Sequence, residues 1–235
     1  MKFDFQLSAD KSRPPPMGLI VLQVDETIEG EFREAFRTSK TQIFVTRIPS
    51  GLEVTTKNLT NMEQHITASA KLLPQSRDFS VIGYGCTSAS AIIGSAKISE
   101  LIKFGCSTRK VTNPLLAATE YAKYLGVRKM ALLSPYIEEV NIPLREAFKK
   151  TGLSTEVFGT FGEEKEEKVA RISESSITEA AISLGQSSSI EAVFISCTNL
   201  RTFNCLGNIS KKINKPVFSS NQSLAWHMKT LSSQN

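Results

Sequence analysis

An internal repeat constrains the fold of this chain more than any other feature of its sequence. The tetrapeptide REAF occurs at Arg33–Phe36 and again at Arg145–Phe148, an offset of 112 residues, and each copy follows an apolar run and an acidic segment. The twelve residues that begin at His65 share six identical positions with the twelve that begin at Ser176, an offset of 111. Such self-similarity indicates a chain built from two structurally equivalent halves.

Two further matches lie in register with these. A predicted strand ends in Cys-Thr in each half, at Cys86 and at Cys197, again 111 residues apart. The motif Asn-x-x-Leu-Ala closes each half, beginning at Asn113 and at Asn221, an offset of 108. Together the four matches favour a duplicated α/β half, and they predict that both halves place a thiol at the same end of the same strand.

Short apolar runs alternate with longer segments of helical spacing, which is the pattern of βαβ units. The predicted strands cover residues 18–24, 43–48, 80–84, 110–113, 129–134, 155–158, 192–196 and 216–220. The predicted helices cover residues 27–38, 58–73, 88–103, 114–125, 138–151, 164–184, 202–212 and 221–231. Most of the strand segments are continuous Val, Ile, Leu and Phe runs, as expected for parallel strands covered on both faces.

The predicted fold class is therefore α/β. We expect two pseudo-symmetric flavodoxin-like (Rossmann-like) lobes, each a parallel sheet flanked by helices, with an active site in the cleft between them. Residues 1–113 and 221–235 are predicted to form the N-terminal lobe, and residues 114–220 the second lobe. The repeat places the helix from Asn221 on the N-terminal lobe, as its partner from Asn113 crosses into the second.

Composition excludes several classes of protein. With 40% hydrophobic and 22% charged residues the 235-residue chain can bury one substantial core or two small ones. Its longest apolar runs, such as Met17–Leu22, fall far short of the roughly 20 residues of a membrane span. The polar start MKFDFQLSADKSRPPP lacks the apolar region of a signal peptide, so we expect a cytoplasmic protein with no membrane partner. The net charge of +5 comes from scattered basic residues, so nucleic-acid binding is an alternative supported by charge alone.

No cofactor or metal site is predicted. The chain has four cysteines and two histidines, His65 and His227, without the paired close spacings of a structural zinc site. Neither a GxGxxG motif nor a P-loop follows a strand, so a nucleotide cofactor is not expected. The histidines cannot be assembled into a Ser/His or Cys/His triad from the sequence. Cys106 and Cys205 have no repeat partner, and we predict that both are core residues.

Cys86 and Cys197 are different, because the carboxyl ends of parallel strands are where ligands bind. Helices that follow such strands present free N–H groups and the positive end of their dipoles. A thiol at a helix N-terminus is expected to have a lowered pKa, and the hydroxyls of Thr87, Ser88 and Thr198 could hold a carboxylate. The two thiols would then lie on opposite faces of a small substrate, which suits two-sided proton transfer.

The motifs that carry this chemistry also resemble a known family. GYGCTS and SCTNLRT, with LLSPY at the start of the second half, resemble the aspartate/glutamate racemase superfamily, and within it the maleate cis-trans isomerase and arylmalonate decarboxylase branch. The resemblance covers the chain from Gly18 to Leu231. The runs GLIVLQVDETIEGEFREAF and SSNQSLAWH are most similar to the ectoine-utilisation EutA-type subgroup of that branch.

The resemblance implies roles for particular residues. Cys86 matches a cysteine that isomerases and racemases retain and decarboxylases replace by glycine, and Cys197 matches the cysteine common to the branch. Tyr136 matches the tyrosine that lines the substrate carboxylate site, and Thr87 and Ser88 match residues that hold a carboxylate. The other predicted substrate-binding residues are Gln23, Thr198 and Asn199. The stretch from Gln23 departs from the family, since maleate isomerases carry an SSN-type asparagine there.

These observations predict a cofactor-independent isomerase that uses two opposed cysteines on a small dicarboxylate or amino-acid-like acid. In a maleate isomerase-like reaction Cys86 would be the nucleophile and Cys197 the acid/base, whereas in an amino-acid racemase both thiols would act at the α-carbon. An arylmalonate decarboxylase-like lyase and a non-catalytic small-acid-binding protein are the alternatives. A small carboxylate is the only predicted partner, nucleic acid is not expected, and a homo-oligomer stays open.

Overall fold

The computed structural model describes residues 1–7 and 14–233 of the chain. The strands within these residues are β1 (Met17–Leu22), β2 (Ile43–Ile48), β3 (Phe79–Gly85), β4 (Thr108–Thr112), β5 (Met130–Tyr136), β6 (Phe158–Glu163), β7 (Ala192–Ile195) and β8 (Val217–Ser219). The helices are α1 (Ile28–Ala35), α2 (Thr56–Asn61), α3 (Glu63–Lys71), α4 (Thr87–Ile93), α5 (Ser95–Gly105), α6 (Pro114–Tyr124), α7 (Glu138–Lys150), α8 (Glu166–Val169), α9 (Glu174–Gly185), α10 (Phe203–Ile213) and α11 (Ser220–Ser233).

The strands form two four-stranded parallel sheets with the same topology. The first sheet has the order β2-β1-β3-β4 and the second the order β6-β5-β7-β8. Each strand of the first sheet therefore has an equivalent in the second, with β3 matching β7. The predicted fold class, two flavodoxin-like α/β lobes, is confirmed by this topology.

Apolar sequence runs account for the central strands. Every residue of β1, β3, β5 and β7 is buried, as required of strands with helices on both faces. The edge strands β2 and β6 are only partly buried, and their sequences are correspondingly more polar. Glycine allows β3 to lie close to its neighbour at Gly85, where a Cβ would lie 3.2 Å from the carbonyl oxygen of Ile20 on β1.

Several predicted elements differ from those observed. The helix predicted over 88–103 is divided at Gly94, whose φ of 90° ends α4 and begins α5. The helix predicted over 164–184 is two helices, because the hydroxyl of Ser173 accepts the Ser176 N–H and caps α9. The helix predicted over 58–73 is likewise two helices, α2 and α3. The strand predicted over 155–158 begins at residue 158, where Phe158 pairs with Leu132 of β5.

The last helix packs mainly against the first sheet. Leu224 and Met228 of α11 share a buried cluster with Leu19 and Val81 of β1 and β3. In the opposite sense, α6 places Leu115 and other residues in a cluster with the second sheet. The division into residues 1–113 plus 221–235 and residues 114–220 stays a prediction, and its residues 8–13 and 234–235 lie outside those described.

Among residues 1–7 and 14–233, no helix combines the length and apolar character needed to cross a membrane.

Candidate active site

Cys86 lies at the junction between β3 and α4. Its main chain is extended and it occupies the N-cap position of α4, where its sulfur accepts the N–H of Ala89 at 3.4 Å. The side chain is buried, with 6% of the residue exposed. The cysteine is placed here because the apolar strand ends at Gly85 and the helix starts directly afterwards.

Cys197 lies at the carboxyl end of the equivalent strand, β7, but in a different local geometry. Its φ of 113° falls in the left-handed region, which a residue other than glycine rarely adopts and which is frequent at functional sites. Its N–H donates to the hydroxyl of Ser220 at 3.0 Å, and its sulfur accepts the N–H of Asn199 at 3.2 Å. No helix begins at Cys197, since α10 starts only at Phe203.

A tyrosine and a glutamate adjoin the second thiol. The hydroxyl oxygen of Tyr136 lies 3.0 Å from the sulfur of Cys197 and donates to Oε1 of Glu166 at 2.8 Å. The side-chain amide of Asn199 donates to the other oxygen of Glu166, also at 2.8 Å. Glu166 was not among the predicted site residues, because it lies in the charged run EEKEEK, whose composition is typical of an exposed segment.

A second carboxylate reaches the site from the loop after β1. Oδ1 of Asp25 accepts the N–H groups of Thr27 and Ile28, both at 2.8 Å, and thereby caps α1. Its other oxygen, Oδ2, is buried and has no hydrogen-bond partner among the described residues. Burial raises the pKa of Asp25, and the nearby Thr198 hydroxyl offsets only part of this rise. That hydroxyl donates its proton to the carbonyl oxygen of Gly85 at 3.2 Å.

Both thiols line one small cavity between the lobes, which we call the inner cavity. Its lining residues are Leu22, Asp25, Cys86, Thr87, Ser88, Tyr136, Glu166, Cys197, Thr198 and Asn199. With a volume of about 10 Å³ it has room for about one water molecule. The structure therefore brings together the predicted site residues except Gln23, which is exposed and lines a neighbouring cavity. Asp25 lies in the inner cavity instead.

Hydroxyl groups of the predicted carboxylate site hold the lobes together. Thr87 Oγ1 and Ser220 Oγ share a hydrogen bond of 2.8 Å, and Thr198 of the second half donates to Gly85 of the first. Thr87 and Thr198 are repeat partners, but the groups that they contact, Ser220 and Gly85, are not equivalent in the repeat. Substrate binding by these hydroxyls would require their present hydrogen bonds to be exchanged.

A larger outer cavity of about 390 Å³ lies beside the inner one, and Glu166 lines both. Residues 52–54 and 164–166 pair with each other, and we call this pair of segments the strap. Val54 N–H donates to the carbonyl of Glu164 at 2.8 Å, and Glu166 N–H donates to the carbonyl of Leu52 at 3.1 Å. The strap joins the two lobes, and its residues Leu52, Glu53, Lys165 and Glu166 line the outer cavity.

Burial dominates the electrostatics of the inner cavity. It raises the pKa of the Cys86 thiol to about 12 and the pKa of Cys197 well above its ordinary value, and the neighbouring carboxylates of Glu166 and Asp25 raise both further. The expectation of a lowered thiol pKa is wrong for this closed cavity, because loss of water outweighs the N–H groups that face the sulfurs. Burial also raises the pKa values of Asp25, Glu166 and Tyr136.

Within residues 1–7 and 14–233, no group of three or more His, Cys, Asp and Glu side chains is arranged to hold a metal ion. The inner cavity presents two thiols, a phenol, three aliphatic hydroxyl groups, two carboxylates and an amide. Groups of this kind exchange protons and, in the case of a thiolate, add to carbon.

Comparison with known proteins gives one family and one fold. The family model described as arylmalonate decarboxylase matches residues 47–235. The maleate isomerase Iso from Pseudomonas putida S16 is similar in structure, with a TM-score of 0.83 and 18% identity over 93% of this chain and 92% of that one. No curated protein sequence matches the chain significantly.

Two other solved structures bear on the site. A mutant of the Nocardia farcinica maleate cis-trans isomerase, solved with a covalently bound succinylcysteine intermediate, has a TM-score of 0.80 and 19% identity over 92% of each chain. A double mutant of arylmalonate decarboxylase in its liganded form, in which a glycine is changed to cysteine and a cysteine to serine, has a TM-score of 0.81 and 20% identity over 94% of each chain. At these identities the likeness is one of fold.

Proposed function

Because this chain belongs to the arylmalonate decarboxylase family, we propose that it is a cofactor-independent isomerase that acts on a small carboxylic acid through Cys86 and Cys197. One observation carries the proposal: the two thiols line the same inner cavity, each at the carboxyl end of an equivalent central strand. A site that only bound an acid would need hydrogen-bond donors, but it would not need a thiol from each lobe.

In the racemase form of this reaction both thiols act on one carbon. The thiolate of one cysteine takes the α-proton, the electron pair of the C–H bond passes into the carboxylate as an enediolate, and the other thiol donates its proton to the opposite face. The carbon is inverted, and the two cysteines have exchanged protonation states.

In the cis-trans form the thiolate of Cys86 adds to one carbon of a double bond and Cys197 protonates the other. The bond between them becomes single and rotates. Cys197 then takes the proton back as the carbon–sulfur bond breaks, which gives the trans acid. The succinylcysteine intermediate of the Nocardia farcinica relative is an adduct of this kind and supports this form for that protein.

The subgroup, the cellular location and the partner of the protein are also part of the proposal. Sequence resemblance supports the ectoine-utilisation EutA-type subgroup, and a cytoplasmic location is also proposed. The small acid substrate is the one partner proposed. A decarboxylase-like lyase is less well supported, because Cys86 stands where the resemblance implies glycine in decarboxylases.

The proposal is tested by NMR in D₂O with maleate, aspartate, glutamate, 2,4-diaminobutyrate and substituted malonates. We expect one of these acids to exchange its α-hydrogen or to change configuration, and the Cys86→Ser and Cys197→Ser variants to lose that activity. The Cys106→Ser variant is the control, because Cys106 is buried outside the inner cavity. Turnover that persists in either of these two variants would contradict the proposal.

A further inference from the structure

We propose that the inner cavity is built for a substrate that carries an ammonium group next to its carboxylate, and that Asp25 and Glu166 bind this ammonium group. The inference rests on the proposed function, since it names the substrate class of the same site. It favours the racemase form of the reaction over the cis-trans form.

The first observation is the unpaired oxygen of Asp25. The residue is 4% exposed and lines the inner cavity, where Oδ2 has no partner among the described residues. Capping of α1 uses Oδ1 alone, so the cap does not explain why the second oxygen is buried without a donor. Burying an unpaired acceptor is unfavourable, and a ligand that brings N–H groups would remove this penalty.

The second observation is Glu166, which is 3% exposed and belongs to the other lobe. Each of its oxygens accepts one hydrogen bond, from Tyr136 and from Asn199. A carboxylate oxygen has two acceptor sites, so each can still accept another N–H. The negative charge of Asp25 raises the pKa of Glu166, so the electrostatic potential at Glu166 is made more negative by Asp25.

The third observation is that no lysine or arginine is among the residues that line the inner cavity. Lys165 lines the outer cavity only. The guanidinium of Arg47 is near Asp25, but it donates to main-chain carbonyls and pairs with Glu29. A dicarboxylate would add negative charge beside two carboxylates without a cation, whereas an ammonium group would pair with them.

An ammonium group also explains how thiols of high pKa could ionise. A cation within a few ångströms favours the thiolate, so binding would lower the thiol pKa and release a proton to solvent. Once Glu166 accepts from the ammonium group, the Tyr136 proton is free to turn towards the sulfur of Cys197. The substrate itself would thus supply the charge that activates the site.

The preference for a cation can be measured without knowing the substrate. The probes are 2-aminoethyl methanethiosulfonate, a cation, and 2-sulfonatoethyl methanethiosulfonate, an anion. In each case the thiolate attacks the sulfenyl sulfur, a disulfide forms and methanesulfinate leaves. Rates at Cys86 and Cys197 are followed by mass spectrometry and divided by those of N-acetylcysteine.

We expect the normalised rate for the cation to exceed that for the anion by about tenfold or more, which is the scale of one close charge pair. The Asp25→Asn and Glu166→Gln variants should each reduce this ratio several-fold, and Asp25→Asn keeps an oxygen for the α1 cap. The Glu34→Gln variant makes the same charge change on an exposed residue of α1 and should leave the ratio unchanged. An anion preference in the wild type, or an unaltered ratio in both site variants, would overturn the inference.

A second arm separates this inference from the proposed function. Aspartate and succinate share a carbon skeleton and differ by the amino group, and both are tested for binding by calorimetry and for exchange in D₂O. Exchange or isomerisation of acids without an amino group, but not of amino acids, would retain the two-thiol function and overturn the ammonium site. A cation preference together with full turnover in both cysteine variants would retain the ammonium site and overturn the two-thiol function.

Discussion

The hydroxyl oxygen of Tyr136 lies 3.0 Å from the sulfur of Cys197, and both residues are buried between the lobes. The same hydroxyl contacts Glu166 at 2.8 Å, so one phenolic proton serves two acceptors. Whichever acceptor is the more negative holds that proton. Tyr136 therefore couples the protonation of a thiol to that of a carboxylate from another element.

Replacing Tyr136 by Phe should test this coupling. We expect turnover to fall by about 100-fold, because the thiolate of Cys197 loses its hydrogen-bond donor. The free energy of unfolding should fall by only about 1–2 kcal/mol, since the ring still packs and one acceptor of Glu166 loses its partner. Steady-state kinetics and urea denaturation measure the two effects, and a variant with unchanged kcat would show that the hydroxyl is only structural.

The two cysteines should act as a unit. Cys86→Ser and Cys197→Ser should each lower turnover by orders of magnitude, because a serine hydroxyl has too high a pKa to supply the anion. The double variant should be no worse than the poorer single variant, and binding of the acid should change by about tenfold at most. Additive losses in single and double variants would indicate that the thiols act independently.

Thiol reactivity should depend steeply on pH. The pKa of Cys86 is raised to about 12, so its thiolate fraction grows about tenfold per pH unit throughout the range from pH 7 to 10. The rate at which iodoacetamide alkylates Cys86 should rise with that slope and reach no plateau. The corresponding rate for N-acetylcysteine should level off once its thiol is fully ionised. Peptide mass spectrometry resolves the site, and a plateau below pH 9 would show that the closed cavity opens readily.

Glu31 of α1 should stabilise the interface between the lobes. Its carboxylate accepts the N–H of Phe203 at 2.9 Å and the amide of Asn221 at 2.7 Å, and it is 8% exposed. The Glu31→Ala variant leaves these donors unpaired, so its free energy of unfolding should fall by about 2–4 kcal/mol. Glu34→Ala changes an exposed residue of the same helix and should have little effect.

The same carboxylate should contribute to the pH dependence of stability. Burial raises the pKa of Glu31 above its ordinary 4.5, so the folded state holds a proton that the unfolded state has released. The free energy of unfolding should therefore decrease as the pH rises from about 4.5 through the raised pKa, and level off above it. Urea titrations at several pH values should show a smaller decrease for Glu31→Gln. An unchanged slope would mean that Glu31 is not the group responsible.

We expect the two segments of the strap to separate before a substrate enters, because the inner cavity holds only about one water molecule. Glu53 and Lys165 face each other as an antiparallel pair, in the position where side chains are closest. A double variant with cysteine at both positions should form a disulfide that blocks turnover until it is reduced. The single variants are controls, and full activity of the oxidised double variant would show that entry uses another route.

Much of the architecture follows from the sequence alone. Four matches in register predict two equivalent halves, and continuous apolar runs predict parallel strands that are covered on both faces. Cys86 and Cys197 were identified because the repeat marks their shared position. These features are local or periodic, so the order of residues along the chain is enough to reveal them.

Other features depend on contacts between distant segments. Glu166 lies in a run of charges that resembles a solvated surface, and only its pairing with residues near Leu52 buries it beside Cys197. Asp25 rather than Gln23 enters the inner cavity, because the turn after β1 directs the Asp25 carboxylate inward to cap α1. The thiol pKa values rise rather than fall, since the free energy of a charge depends on how much water the whole fold removes from it. Burial of that kind is a property of the assembled lobes, and no single segment of the sequence determines it.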